Sequence, residues 1–133
     1  MLDVIKDEFE RLGHLDLNAV QALLVFNIGP KTMTAGELRS RGYYQGSNVS
    51  YNLKKLVESG FIEHRRCEID RRSVRVRLTE RGIEVHGIVA DLFRRHADAL
   101  CLSERLRPEG VEGMNRDLRQ LERYWTEEVR YVY

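Results

Sequence analysis

Residues 68–82 of the chain read EIDRRSVRVRLTERG and carry five arginines. Val74, Val76 and Leu78 alternate with Arg75 and Arg77, which is the spacing of a β-strand that buries one face. Guanidinium groups pair well with phosphate oxygens, so the valines are predicted to hold the strand to a core while the arginines reach a polyanion. Charge on a hairpin can instead protect a sheet edge from aggregation, and this alternative stays open.

The basic residues are concentrated in the middle of the chain. Between Lys31 and Arg77, eleven Lys and Arg residues stand against five Asp and Glu residues, although the whole chain has a formal net charge of only +1. The two flanks together are therefore acidic. This distribution favours a central module that binds a polyanion, while an ordinary charged surface explains the counts equally well.

A second polar surface is predicted on a helix of about residues 45–59. At about 100° per residue, Val49, Leu53 and Leu56 fall on one side of this helix, and Tyr51 and Lys54 fall roughly opposite. A helix fits the major groove of DNA, where polar side chains can read base edges and lysines can meet phosphates. A solvated polar face without a ligand is the alternative, because surface helices are commonly charged.

Capping residues and glycines mark the elements around this helix. Thr34 and Glu37 have the spacing of a capping box at the start of a short helix of about residues 34–41. Its short link to residues 45–59 is typical of a helix-turn-helix, and two strands with a tip at residues 68–73 follow as a hairpin. The other predicted helix starts are Asp16, Thr79 and Pro108, and the predicted ends include Gly13, Gly29 and Gly42.

The last predicted helix carries a narrow apolar seam. Its apolar residues follow a repeat of seven residues, with alternating steps of three and four, that only Glu128 interrupts. They are Val111, Met114, Leu118, Leu121, Trp125 and Val132. A heptad seam packs against another helix, so we expect this one to contact a partner helix.

Other classes of protein find little support in the sequence. A length of 133 residues fits one domain, and no apolar run approaches the roughly 18 residues of a membrane-spanning helix, so a soluble, cytoplasmic protein is expected. Two cysteines are too few for a disulfide framework. The four histidines lack metal-ligand spacing, and no phosphate loop or nucleophile elbow occurs, so no catalytic residue, metal or cofactor is predicted.

Cys101 is a candidate for a different role. Arg94, Arg95 and Arg105 lie near it in sequence and could lower the pKa of its thiol, which would make the cysteine sensitive to oxidants. A packed, inert cysteine at a helix end is the alternative.

Two stretches resemble the MarR family of winged helix transcription regulators. DRR…VRLTERG is similar to the family's Asp-x-Arg wing and the Leu-Thr-x-x-Gly that follows it, and NVSYNLKKLVESGFIEHR is similar to its recognition helix and next strand. The resemblance covers about residues 17–82. The chain departs from the family pattern at Gly42, Gln45 and Tyr51, and Tyr51 replaces a frequent arginine that bears on base preference.

The resemblance implies a mainly α (α+β) fold: a winged helix-turn-helix with a two-stranded β-wing and flanking dimerisation helices. A single domain would comprise an N-terminal dimerisation helix (residues 1–15), the DNA-binding region (16–79) and C-terminal dimerisation helices (80–133). The implied protein is a homodimer that binds a pseudo-palindromic double-stranded operator and that a small-molecule effector can modulate. A winged helix module that binds an acidic protein and a thiol redox sensor through Cys101 are the alternatives.

Site residues follow from the same resemblance. The implied DNA-binding residues, with Ser47, Asn48 and Tyr51 as base readers, are Gln45, Ser47, Asn48, Ser50, Tyr51, Lys54, Lys55, Arg71, Arg72 and Arg75. Asp70 is expected to order the wing by bonding turn amides or by holding an arginine. The implied dimerisation residues are Leu2, Ile5, Phe9, Val111, Met114, Leu118, Leu121, Trp125 and Val132.

Overall fold

The computed structural model describes residues 1–42, 46–66, 68 and 74–132, without the side chains of residues 39–42, 46, 47 and 129–132. The described residues form six helices and three strands. In chain order these are α1 (Leu2–Arg11), α2 (Ala19–Ile28), β1 (Met33–Thr34), α3 (Ala35–Gly42), α4 (Gly46–Glu58), β2 (Ile62–Arg66), β3 (Val74–Leu78), α5 (Glu80–Leu102) and α6 (Pro108–Val132). The predicted mainly helical fold with a small wing is confirmed.

The sheet has three antiparallel strands in the order β1-β3-β2. β2 and β3 pair from Ile62 opposite Leu78 to Arg66 opposite Val74, and Met33 of β1 lies opposite Val76. The predicted two-stranded wing is confirmed as β2 and β3, and β1 is a third strand of the sheet that was not predicted. β1 has only two residues, and so short a strand shows no alternation from which it can be recognised.

The helix starts follow local hydrogen-bonding chemistry. The predicted capping box of α3 is confirmed, because the Thr34 amide donates to Glu37 Oε2 at 2.9 Å and the Glu37 amide donates to Thr34 Oγ1 at 3.1 Å. The predicted cap of α2 at Asp16 was wrong. Asn18 caps that helix, accepting from the Gln21 amide at 2.8 Å. Asp16 instead pairs with Arg81, so its carboxylate serves a contact that is distant in sequence.

The chain forms two compact units, Met1–Phe93 and Arg94–Tyr133, with the boundary inside α5. The core of the first unit draws on every helix from α1 to α5 and on the sheet. Its fully buried side chains include Ile5, Leu24, Leu38, Leu56 and Val89. Of the described helices, none is both long and apolar enough to cross a membrane.

Thr79 joins the end of β3 to the start of α5 and to the end of α4. Its hydroxyl donates to the carbonyl of Gly60 at 2.6 Å and accepts from the amide of Gly82 at 3.3 Å. This confirms the predicted cap at Thr79. Gly82 lies so close to Phe61, the residue before β2, that an added Cβ would overlap the Phe61 carbonyl oxygen.

We expect Gly82→Ala to lower the free energy of unfolding by about 1–3 kcal/mol, because the new methyl group must displace backbone atoms of the core. Urea denaturation measures the change. Gly87→Ala is the matched control, since Gly87 lies in the same helix with no neighbouring atom within 4 Å of its added Cβ. That control should be stabilised by about 0.5–1 kcal/mol. Equal effects of the two substitutions would contradict the close approach at Gly82.

Candidate nucleic-acid interface

Helix α4 has one buried side and one exposed side. Val49, Leu53 and Leu56 are buried, whereas Asn48 and Tyr51 are exposed, as are Ser50, Lys54 and Lys55. The predicted division of this helix into two sides is therefore confirmed for the described side chains. Gln45 lies outside the described residues, and Ser47 is described only by its helical backbone.

The two lysines of α4 differ in their surroundings. Lys55 Nζ lies 3.6 Å from Glu58 Oε2 and 5.8 Å from the centre of the Tyr51 ring. Among the described residues Lys54 has no ion-pair partner. An exposed ammonium group without a carboxylate neighbour is the more available of the two to a phosphate.

The outer face of the sheet carries three exposed arginines. Arg77 is held by Glu63, with 3.1 Å between Nη2 and Oε1. Arg65 and Arg75 lie directly opposite each other on β2 and β3, and neither has an ion-pair partner within the described part of the chain. Like charges directly opposite each other destabilise a strand pair, so this arrangement concentrates uncompensated positive charge at a cost in stability.

Arg81, the last arginine of the stretch 68–82, is exposed but bonded to other parts of the chain. Its guanidinium donates to the Ser59 carbonyl at 2.6 Å and to Asp16 Oδ2 at 2.7 Å, and it lies 4.5 Å from the centre of the Phe61 ring. These contacts bind the C-terminal end of α4 to the start of α5. Arg81 is not among the implied DNA-binding residues, and these contacts give it a role in holding elements of the domain together.

Comparisons with known proteins agree with this geometry. Residues 17–82 match the family described as winged helix DNA-binding domain. Residues 17–82 are therefore a winged helix domain of this family. This family is one of DNA-binding domains, not of enzymes.

A curated relative covers nearly the whole chain. This winged helix protein is 32% identical over 128 residues to ExpG, the exopolysaccharide II synthesis transcriptional activator of Rhizobium meliloti. The alignment covers 96% of the chain and 66% of the relative, so the chain spans about two thirds of the relative's length.

Solved structures show the same fold. FabT of Streptococcus pneumoniae, solved in complex with DNA, superposes with a TM-score of 0.74 at 20% identity and covers 95% of this chain and 87% of its own. AbsC of Streptomyces coelicolor, a MarR family transcriptional regulator, superposes with a TM-score of 0.71 at 18% identity, and the match covers 95% of this chain and 84% of AbsC. The winged helix protein therefore has the fold of MarR family regulators, as the resemblance predicted.

Three of the implied wing residues, Asp70, Arg71 and Arg72, lie outside the described residues, so their roles stay predictions. Arg75 is described and exposed on β3. Arg65 was not among the predicted site residues, because only the strand register brings it opposite Arg75.

The implied dimerisation residues differ in how far the single chain buries them. Ile5 and Phe9 are buried in the core of the first unit, so they are unavailable to a partner, and their assignment to an interface is corrected to the chain's own core. Leu2 is exposed, as are Met114 and Leu121 of α6. In the single chain, 56% of the surface of Leu118 and 59% of that of Trp125 are exposed. Val111 is half-buried, and the side chain of Val132 lies outside the described residues.

Cys101 is an exposed free thiol near the end of α5. Arg94 is one of the arginines expected to activate this thiol, and its Nη1 atom lies 3.5 Å from Oδ2 of Asp98. The redox role of Cys101 stays a prediction. Among the described residues no group of three His, Cys, Asp or Glu side chains is arranged to hold a metal ion.

Proposed function

We propose that the protein is a sequence-specific transcription regulator that binds double-stranded DNA as a homodimer. The single observation that carries the proposal is the pair of exposed arginines, Arg65 and Arg75, which lie opposite each other on a winged helix domain without an ion-pair partner in its described part. Such a pair is unfavourable in the free protein and becomes favourable when phosphates neutralise both charges.

The proposed contacts divide into reading and anchoring groups. α4 enters the major groove and presents Asn48 and Tyr51 to the base edges, with Ser47 and Ser50 on the same helix and Gln45 immediately before it in sequence. Lys54 and Lys55 meet phosphates further along that helix. Arg65 and Arg75, together with Arg71 and Arg72 between β2 and β3 in sequence, reach the backbone or the minor groove, while Asp70 orders the segment that joins these strands.

The homodimer is proposed from the apolar seam of α6. Exposed large apolar side chains at heptad spacing are typical of a helix that pairs with another. Two-fold pairing would bring two copies of α4 into one molecule, which suits a pseudo-palindromic operator. A protein that binds DNA in this way would reside in the cytoplasm.

The relatives support this proposal by their described roles. ExpG is described as a transcriptional activator, and FabT was solved in complex with DNA. A small-molecule effector rests on the family resemblance alone and stays a prediction, as does the choice between activation and repression.

Selection from a pool of randomised duplexes tests the proposed function. We expect the full chain to enrich a two-fold related sequence and to retard it in a gel at moderate salt. The selected duplex should bind at least about 10³-fold more tightly than an unselected duplex, the ratio typical of specific DNA-binding proteins. If no duplex is enriched or retarded, the proposal fails, and a module that binds an acidic protein takes its place.

A further inference from the structure

Asn52 is a buried polar residue on the side of α4 that packs against the core. Only 8% of its surface is exposed, and it shares this side with Val49, Leu53 and Leu56. An apolar residue at this position would bury more hydrophobic surface, whereas a buried amide is costly unless it is hydrogen-bonded. Its hydrogen bonds must therefore account for its presence.

Two amide side chains link α4 to α2. Asn52 Nδ2 donates to the backbone carbonyl of Asn48 at 2.8 Å, and Gln21 Nε2 donates to Asn52 Oδ1 at 3.3 Å. Gln21 Oε1 accepts from the backbone amide of Asn18 at 3.0 Å. The chain of bonds thus runs from the N-terminus of α2 to the first turn of α4.

The direction of each bond in this chain is determined by its ends. A carbonyl can only accept, so Asn52 must turn its Nδ2 toward Asn48, and an N–H can only donate, so Gln21 must turn its Oε1 toward Asn18. The two atoms left facing each other are a donor on Gln21 and an acceptor on Asn52. The arrangement therefore has one consistent polarity, and reversing either amide would break two bonds.

The apolar contacts of α4 do not by themselves determine its rotation. Hydrophobic packing is non-directional, whereas a hydrogen bond weakens steeply when its geometry changes. A rotation of about 20° would move a point about 6 Å from the helix axis by about 2 Å, which is enough to break a contact with a base edge. Buried polar side chains are known to determine register between helices in this way.

We infer that Asn52 and Gln21 are positioning residues that set the rotation of α4, so that Asn48 and Tyr51 face the groove. The inference rests on the proposed function and adds to it a determinant of base specificity that contacts no DNA. Replacing the Asn52 side chain by an apolar one of similar shape removes the cost of burying the amide together with its hydrogen bonds, so this change should affect discrimination far more than stability.

Three variants of the full chain test the inference. Asn52→Leu removes the amide while keeping a side chain branched at the same carbon. Gln21→Glu keeps an oxygen for the Asn18 amide but replaces the donor to Asn52 with an acceptor. Asn18→Ala is the control, because it removes the side-chain cap of α2 and lowers stability while leaving both amides and the backbone N–H that binds Gln21.

Two measurements apply to each variant. The first is the ratio of Kd values for an unselected duplex and for the duplex that the wild-type protein selects, at one salt concentration. We expect this ratio to fall about tenfold in Asn52→Leu and in Gln21→Glu, through weaker binding of the selected duplex only. The second is amide hydrogen exchange without DNA, which should accelerate in residues 46–58 of both variants. Asn18→Ala should keep the wild-type ratio despite its lower thermal midpoint.

Three outcomes would overturn the inference. The first is a ratio of Kd values in Asn52→Leu that equals the wild-type ratio. The second is an unchanged rate of amide exchange in residues 46–58 of the variants. The third is a ratio of Kd values that falls together with the thermal midpoint in all three variants, including the control Asn18→Ala. The last would make Asn52 a residue of general stability. If the wild-type protein selects no duplex, the proposed function fails instead, and the exchange measured without DNA still decides whether the two amides position α4.

Discussion

Leu118→Glu is expected to convert the proposed homodimer into a monomer and to weaken binding of the selected duplex by about a hundredfold or more. Leu118 lies in the middle of the apolar seam of α6 and keeps 56% of its surface exposed in the single chain. In a two-fold pairing, the substitution would bring two carboxylates into an apolar interface, where an unpaired charge is strongly unfavourable. A monomer binds one half-site only and forgoes the gain from simultaneous binding of both.

Sedimentation equilibrium provides the direct measurement. The wild-type protein should sediment with twice the chain mass of 15.6 kDa, and Leu118→Glu should sediment with the mass of a single chain. Gln120→Glu is the matched control, because it adds the same charge at an exposed position of α6 outside the seam. Binding of unselected duplexes by one domain should persist in the monomer. A Leu118→Glu protein that stays dimeric would remove the seam from the interface.

The parts of the fold that the sequence predicted are those governed by local rules. Heptad spacing identified the stripe on α6, and the helical period placed Val49, Leu53 and Leu56 on one side of α4. The capping box at Thr34 and Glu37 depends on residues three apart. Each of these patterns is contained in one segment, so no tertiary information was needed to read it.

The parts that could not be predicted depend on contacts between distant segments. Asp16 and Asn18 are both capable N-cap residues, and only the position of Arg81 shows that Asp16 is used elsewhere. The strand register places Arg65 opposite Arg75, and no spacing along the chain reveals that pairing. Asn52 did leave a local signal, because it is a polar residue within an apolar stripe, but its partner Gln21 lies 31 residues away.

A second large effect is expected when Arg65 and Arg75 are both replaced by glutamine. If each arginine meets a phosphate, the slope of log affinity against log salt should become shallower by about 0.9 for every phosphate that the variant no longer neutralises. Affinity at physiological salt should fall on the order of a hundredfold, and by similar factors for selected and unselected duplexes, because phosphate contacts carry no sequence information. Titrations of both duplexes over a range of salt concentrations measure the slope and the ratio together.

Arg77→Gln is the control that makes this result specific. Arg77 lies on the same face of the same sheet, but its charge is already offset by Glu63, with 3.1 Å between Nη2 and Oε1. Replacing Arg77 should therefore change the slope of log affinity against log salt less than replacing either Arg65 or Arg75. The double variant should also unfold at a higher urea concentration than the wild-type protein, because removing two opposed like charges relieves repulsion between β2 and β3. Weaker binding together with greater stability would mean that these arginines are retained for a polyanion. An unchanged salt slope would show instead that this face of the sheet points away from DNA, and the observation that carries the proposed function would no longer support it.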